Sequence, residues 1–108
     1  MTPANFENVT VIKKANVYFD GNVISHTVIF DDGTRKTLGV ILSTEQPLAF
    51  KTELPERMEL VAGKCAVRLS GDSEFEVFTG GQSFFVPGQS SFEIQAIDVT
   101  DYICHFEG

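Results

Sequence analysis

The chain is 108 residues long, 43% hydrophobic and 21% charged, with ten Phe, two Tyr and no Trp. That length suits one compact domain over residues 1–108, which buries roughly 60–65% of its extended surface and needs no metal or disulfide staple. Fifteen Asp and Glu against eight Lys and Arg give a net charge of −7, which excludes non-specific binding to nucleic acid or to an anionic membrane.

Residues 1–16 lack the apolar stretch of a secretory signal, so a cytoplasmic location is expected. No run of about 18 apolar residues occurs, so no membrane-spanning helix is expected either. From there the chain alternates short apolar runs with turn signals, the mark of an all-β sandwich or barrel. Strands are predicted over 22–30 and 35–42, joined by the turn Asp31-Asp32-Gly33-Thr34, and then over 48–53 after a polar loop. Leu54-Pro55-Glu56 leads into a strand over 57–61, which Ala62-Gly63 turns into another over 64–70. Strands over 75–79, 82–86, 92–97 and 102–106 follow, separated by Gly80-Gly81, Pro87-Gly88 and Asp98 to Asp101.

Period-two alternation assigns faces to these strands. Phe75 and Val77 are expected in the core. Phe92, Ile94 and Ala96 share a face, as do Tyr102, Cys104 and Phe106, opposite Ile103 and His105. Met58 and Leu60 share a face with Glu56 if the strand begins that early. Cys65 and Cys104 each sit in an apolar run without CxxC spacing and read as buried, reduced thiols.

The segment from Gly81 through Val86-Pro87-Gly88 to Phe92 resembles the second motif of the cupins, small antiparallel jelly-roll barrels. In that pattern Phe92 stands where a metal-binding His is usual. Glu56 followed by Gly63 resembles the end of the first cupin motif, whose two His positions fall on Phe50 and Thr52. The resemblance implies a single-domain cupin-type jelly-roll β-barrel that has lost its metal site. A first-row metal wants three or four converging N or O ligands, and these four positions offer one carboxylate and one hydroxyl. No metal or cofactor is expected.

A closer resemblance covers residues 16–106. It rests on Tyr18-Phe19 with Gly21 and Val23, on Leu38-Gly39-Val40-Ile41, and on Phe50, Thr52, Pro55, Glu56, Met58 and Gly63. It continues in Phe84, Val86-Pro87-Gly88, Ser90 and Phe92, and ends with Asp101-Tyr102 and Cys104. Together these are similar to the bacterial pyrimidine/purine nucleoside phosphorylases. The family implies an enzyme of broad specificity, a pentosyltransferase. It would cleave purine and pyrimidine nucleosides with inorganic phosphate as co-substrate, giving free base and pentose 1-phosphate.

Phosphorolysis needs a phosphate anchor, acceptors for the sugar hydroxyls, a surface for the base and stabilisation of an oxocarbenium-like sugar. Glu56 is the expected catalytic residue, as hydroxyl acceptor or as an anion facing the sugar's positive charge. Phe50, Phe92 and Tyr102 are expected to offer a stacking surface, and Thr52 and Ser90 contacts to ribose or phosphate. Arg35 is expected to grip the phosphate with its planar guanidinium, as the family resemblance also implies. His26 and His105 are weaker candidates for proton donors. Expected partners are nucleosides, phosphate and a second copy of the chain in a homodimer, since barrel edges need protection. Two other readings stand beside this one: a non-catalytic cupin that binds or senses a small ligand, and a metal-dependent cupin oxygenase or isomerase, which the missing His pair disfavours.

Overall fold

The computed structural model describes residues 4–107. Among them nine strands appear in chain order: β1 Thr10–Val11, β2 Asn16–Tyr18, β3 Val23–Ile29, β4 Arg35–Ile41, β5 Leu48–Lys51, β6 Glu56–Leu69, β7 Glu76–Thr79, β8 Ser83–Val86 and β9 Ser91–Phe106. A tight left-handed turn over Phe19–Gly21 joins β2 to β3.

The nine strands are not the nine expected. The strands predicted over 57–61 and 64–70 are one continuous β6, and those over 92–97 and 102–106 are one β9. Both merge because β6 and β9 pair with each other almost throughout, from Glu56 opposite Phe106 to Leu69 opposite Phe92. The Ala62-Gly63 signal marks a bulged bend rather than a turn, with the register shifting between Leu60 and Cys65. Gly63 has φ +99°, and a Cβ there would lie 2.4 Å from the Val99 carbonyl oxygen. Only glycine lets β6 bend against β9 at that point. Across the bend, the buried Thr100 hydroxyl donates to the Asp98 carbonyl at 2.9 Å. The short strands β1 and β2 escaped prediction because two or three residues carry no readable alternation.

The bend divides the structure into two sheets that share β6 and β9. One half runs β3–β4–β9–β6, with β1 and β2 on the free edge of β3 and β8 on β6. The other half pairs β5 with the start of β9, and β7 with the end of β6. All pairing is antiparallel, giving an all-β jelly-roll barrel. Its interior holds Val23, Ile41, Met58, Leu60, Val67, Val86, Phe92, Ile94 and Ala96, all buried in one cluster. The alternation read for β6 and β9 therefore holds.

It fails at β7. Phe75 and Val77 are exposed, while Phe78 packs against the core. The Phe75 ring lies instead under the Arg68 guanidinium at 4.8 Å, a cation–π contact available at a sheet edge. β7 is an edge strand, where local alternation only weakly fixes which face is buried.

On the outer face a three-membered chain ties β4, β9 and β6 together. Lys36 Nζ lies 2.5 Å from His105 Nδ1, and His105 Nε2 lies 2.8 Å from Glu59 Oε1. Burial of His105 holds its pKa below the ordinary histidine value, with the Glu59 hydrogen bond opposing and the Lys36 charge reinforcing that shift. The neutral ring then accepts from Lys36 and donates to Glu59.

The bend at Gly63 yields a direct test. Gly63→Ala is expected to destabilise the fold by about 2 kcal/mol or more, combining positive-φ strain with the contact at Val99. Urea unfolding followed by far-UV circular dichroism measures it, and an unchanged midpoint would show that β6 does not depend on this glycine.

Candidate functional site

Three strands of one half-barrel present their inward side chains to a cavity of about 220 Å³. Its lining comes from Ser25 of β3, Thr37 of β4, and Tyr102, Cys104 and Phe106 of β9. Glu56 and Met58 of β6 continue it, with Phe50, Lys51 and Phe92 from the opposite half and Tyr18 at the end of β2. β6 does begin at Glu56, so the carboxylate shares the inward face of Met58 and Leu60.

The register explains how the polar wall forms. Ser25 pairs with Gly39, and Gly39 pairs with Tyr102. A Cβ at Gly39 would lie 2.7 Å from Cε1 and Cζ of Tyr102, so the tyrosine ring lies across β4 over the missing side chain. Its hydroxyl then reaches Ser25, whose own oxygen accepts from Asn16 Nδ2 at 3.2 Å. Burial raises the Tyr102 phenol to about 12, partly offset by the Ser25 hydrogen bond, so it stays a neutral donor. Ser25 and Thr37 carried no motif signal, and Gly39, though part of the family resemblance, gave no hint of its place in the wall. Their places follow only from the pairing of β3, β4 and β9.

Glu56 is half-buried beside Cys104. Desolvation raises its pKa above the usual carboxylate value of 4.5, and the Cys104 thiol partly offsets this. Cys104 in turn is held protonated, first by burial and then by the adjacent Glu56 charge. The carboxylate thus sits against a neutral thiol and no basic side chain pairs with it within salt-bridge distance among the described residues.

The opposite wall is aromatic. Phe50 and Phe92 are direct partners in the β5–β9 register, and their rings stack at 5.3 Å with 12° between planes. Phe19 meets Phe50 edge-on at 5.1 Å, and Phe84 meets Phe92 edge-on at 5.9 Å. Phe92 is only 3% exposed; it carries the aromatic row into the core more than it faces the cavity.

Of the residues expected from sequence, the structure brings Glu56, Phe50, Phe92 and Tyr102 to this one cavity. Thr52 and Ser90 form a staple beneath it: the buried Thr52 hydroxyl donates to the Pro87 carbonyl at 2.7 Å and accepts from the Ser90 N–H at 3.0 Å. That staple braces the Pro87-Gly88 turn following β8, the strand opposite Glu56. Arg35 is exposed at the start of β4 and does not line the cavity. Among the described residues, Lys51 is the one basic residue at its edge. His26 and His105 lie on the outer face, with Arg57, around a separate open groove of about 930 Å³.

The donor set does not fit a cupin metal. Where imidazoles would converge, two benzene rings stack, the thiol and phenol are protonated, and Thr52 is spent on the backbone. Among the described residues no three His, Cys, Asp or Glu side chains come together.

The family described as pyrimidine/purine nucleoside phosphorylase matches residues 13–106. A protein of that name from Acinetobacter baylyi is 60% identical over 108 residues, covering 100% of both chains. Another from Burkholderia vietnamiensis is 56% identical over 107 residues, covering 98% of this chain and 99% of its own. The crystal structure of a protein of unknown function from Acinetobacter sp. ADP1 superposes with a TM-score of 0.96 at 60% identity, covering 97% of this chain and 100% of that one. An RmlC-like cupin from Shewanella frigidimarina superposes at 0.68 with 17% identity, over 93% of this chain and 84% of that one. That last likeness identifies the barrel as cupin-type.

Glu56 carries a pH signature that can be measured. A carboxyl whose folded pKa is raised stabilises the fold below its unfolded pKa, and that contribution is lost as pH rises through the folded value. Glu56→Gln, which cannot ionise, should therefore gain stability relative to the native protein as pH rises from about 4.5. Melting temperatures of the two proteins between acid and neutral pH measure this. A constant offset would mean that burial of the charge is not felt.

Proposed function

The chain belongs to the pyrimidine/purine nucleoside phosphorylase family, and on that premise we propose that it cleaves nucleosides of both base classes by metal-independent phosphorolysis. The observation that carries this reading is Glu56, the one carboxylate among the described residues that lines a cavity with a hydroxyl wall and an aromatic wall. In the reaction a phosphate oxygen bonds to C1′ as the C1′–N bond breaks. The bonding pair leaves with the base, which takes up a proton, and the products are free base and pentose 1-phosphate.

Each wall has a task in this scheme. Positive charge develops on the sugar as the base departs. A carboxylate in partly desolvated surroundings attracts that charge more strongly than one in water, and Glu56 also accepts from sugar hydroxyls. Tyr102 and Ser25 supply neutral hydroxyls for the sugar. Lys51, at the cavity, neutralises the incoming phosphate in the role expected of Arg35. Thr52 and Ser90 brace the turn beside Glu56. The aromatic wall has no amide or guanidinium to read a base edge, which favours acceptance of purines and pyrimidines alike. A cytoplasmic homodimer completes the proposal. The exposed apolar side chains Ile24, Leu38 and Val61 beside the outer groove support a contact between copies, and sedimentation at the monomer mass would remove it.

The decisive assay is base release from uridine, adenosine and inosine, with and without phosphate. Cleavage that requires phosphate and survives a chelator is expected. Glu56→Gln should lower kcat/KM by about 10²-fold or more, the usual cost of losing one electrostatic stabiliser. Binding of nucleoside without turnover would favour the small-ligand-binding alternative.

A further inference from the structure

We propose that Tyr18 is the ring on which the nucleobase stacks, held at the cavity rim by the left-handed turn that follows it. The proposal rests on the nucleoside reading above and assigns a base-binding residue within it.

The assignment follows from which aromatic faces a ligand can reach. Five aromatic rings line the cavity: Tyr18, Phe50, Phe92, Tyr102 and Phe106. Phe92 and Tyr102 are buried, and Phe50 is held between the stacked ring of Phe92 and the edge contact of Phe19. Two remain exposed: Phe106 at 41% and Tyr18 at 48%. Phe106 stands directly opposite Glu56 in the β6–β9 register, on the side where the carboxylate must meet the sugar. Tyr18 stands on β2, on the inward face that it shares with Val23 and Ser25. Its phenol lies close enough to Tyr102 to raise that residue's pKa slightly. A base stacked there leaves Glu56 free for the sugar.

The backbone after Tyr18 points the same way. Phe19, Asp20 and Gly21 have φ of +52°, +56° and +93°. Two consecutive residues with a Cβ in the left-handed region are uncommon, and such conformations persist only where the surroundings impose them. Here the surroundings are specific. The backbone N–H and the side-chain amide of Asn22 both donate to the Phe19 carbonyl, at 3.1 and 2.9 Å. The Phe19 ring packs edge-on against Phe50 at 5.1 Å. The turn anchors itself to the aromatic wall through Phe19 and leaves the preceding ring, Tyr18, facing the cavity. Phe19 is a positioning residue in this account.

Stacking needs the ring and not the hydroxyl, so three variants separate the roles. With uridine and inosine as substrates at saturating phosphate, Tyr18→Ala should raise KM for both by about 5- to 150-fold, the worth of one base–aromatic stack. kcat should change by less than about threefold, because uniform binding is what is lost. Tyr18→Phe should stay within about threefold of the native KM. Phe19→Ala should raise KM in the same direction although Tyr18 is intact. Circular dichroism and thermal melting check that each variant is folded. Unchanged KM in Tyr18→Ala, or Tyr18→Phe as damaging as Tyr18→Ala, overturns the assignment. If the native protein shows no phosphate-dependent turnover, the phosphorylase reading fails separately. Calorimetric titration of uridine and inosine then decides the stacking claim: weaker binding to Tyr18→Ala sustains it, and equal or absent binding overturns it.

Discussion

The pairing of β6 with β9 is the constraint on which the rest of the molecule depends. These two strands run side by side through both halves of the barrel, so every other strand takes its place by pairing with one of them or with a strand already attached. Their common bend decides which side chains face each other. Before it, β9 offers Phe92, Ile94 and Ala96 to the core; after it, β9 offers Tyr102 and Cys104 to the cavity. A bulge shifts register as well as direction, so Gly63 sets both the shape of the barrel and the composition of the cavity wall.

The cavity exists because packing is deliberately uneven around that bend. On the β5 side, an aromatic row from Phe19 through Phe50 and Phe92 to Phe84 and Phe78 fills space with rings about 5–6 Å apart, the spacing at which edge-on and offset contacts are favourable. On the β4 side, a glycine replaces a side chain, and Tyr102 lies flat in the gap. One wall is therefore rigid and apolar, the other thin and hydroxyl-lined. A metal centre would need several deprotonated or imidazole ligands in the same volume. Rings and protonated groups make that volume unsuited to a metal ion.

Electrostatics follow the same division. The chain carries net negative charge, and three of its eight basic groups are engaged on the outside: Arg57 with Glu59 and Glu107, Arg68 with Glu93, Lys36 with His105. Exposed pairs of this kind contribute little to stability. Among the described residues, Lys51 is the basic residue at the cavity. An acidic protein can admit a small anion where one cation stands free of partners, while its overall field still repels a polyanion.

Much of this was legible in the residues alone. The all-β character and the alternating faces of β6 and β9 follow from local pattern, because period-two alternation and turn chemistry act over a few residues. Glu56 was singled out by resemblance to the family motifs instead. The phase of β7 was misread, since an edge strand has no single buried face to enforce it. Motif positions identified Phe50, Phe92 and Tyr102, but only the fold separates a ring buried in the aromatic row from one exposed at the rim. Arg35 and Lys51 are equally basic in sequence, and which of them meets the cavity depends on where two distant strands end. The opening counts of phenylalanine and charge set what the chain could bury and repel. Long-range pairing decided where each ring and each cation would stand, because those positions are fixed by partners dozens of residues away.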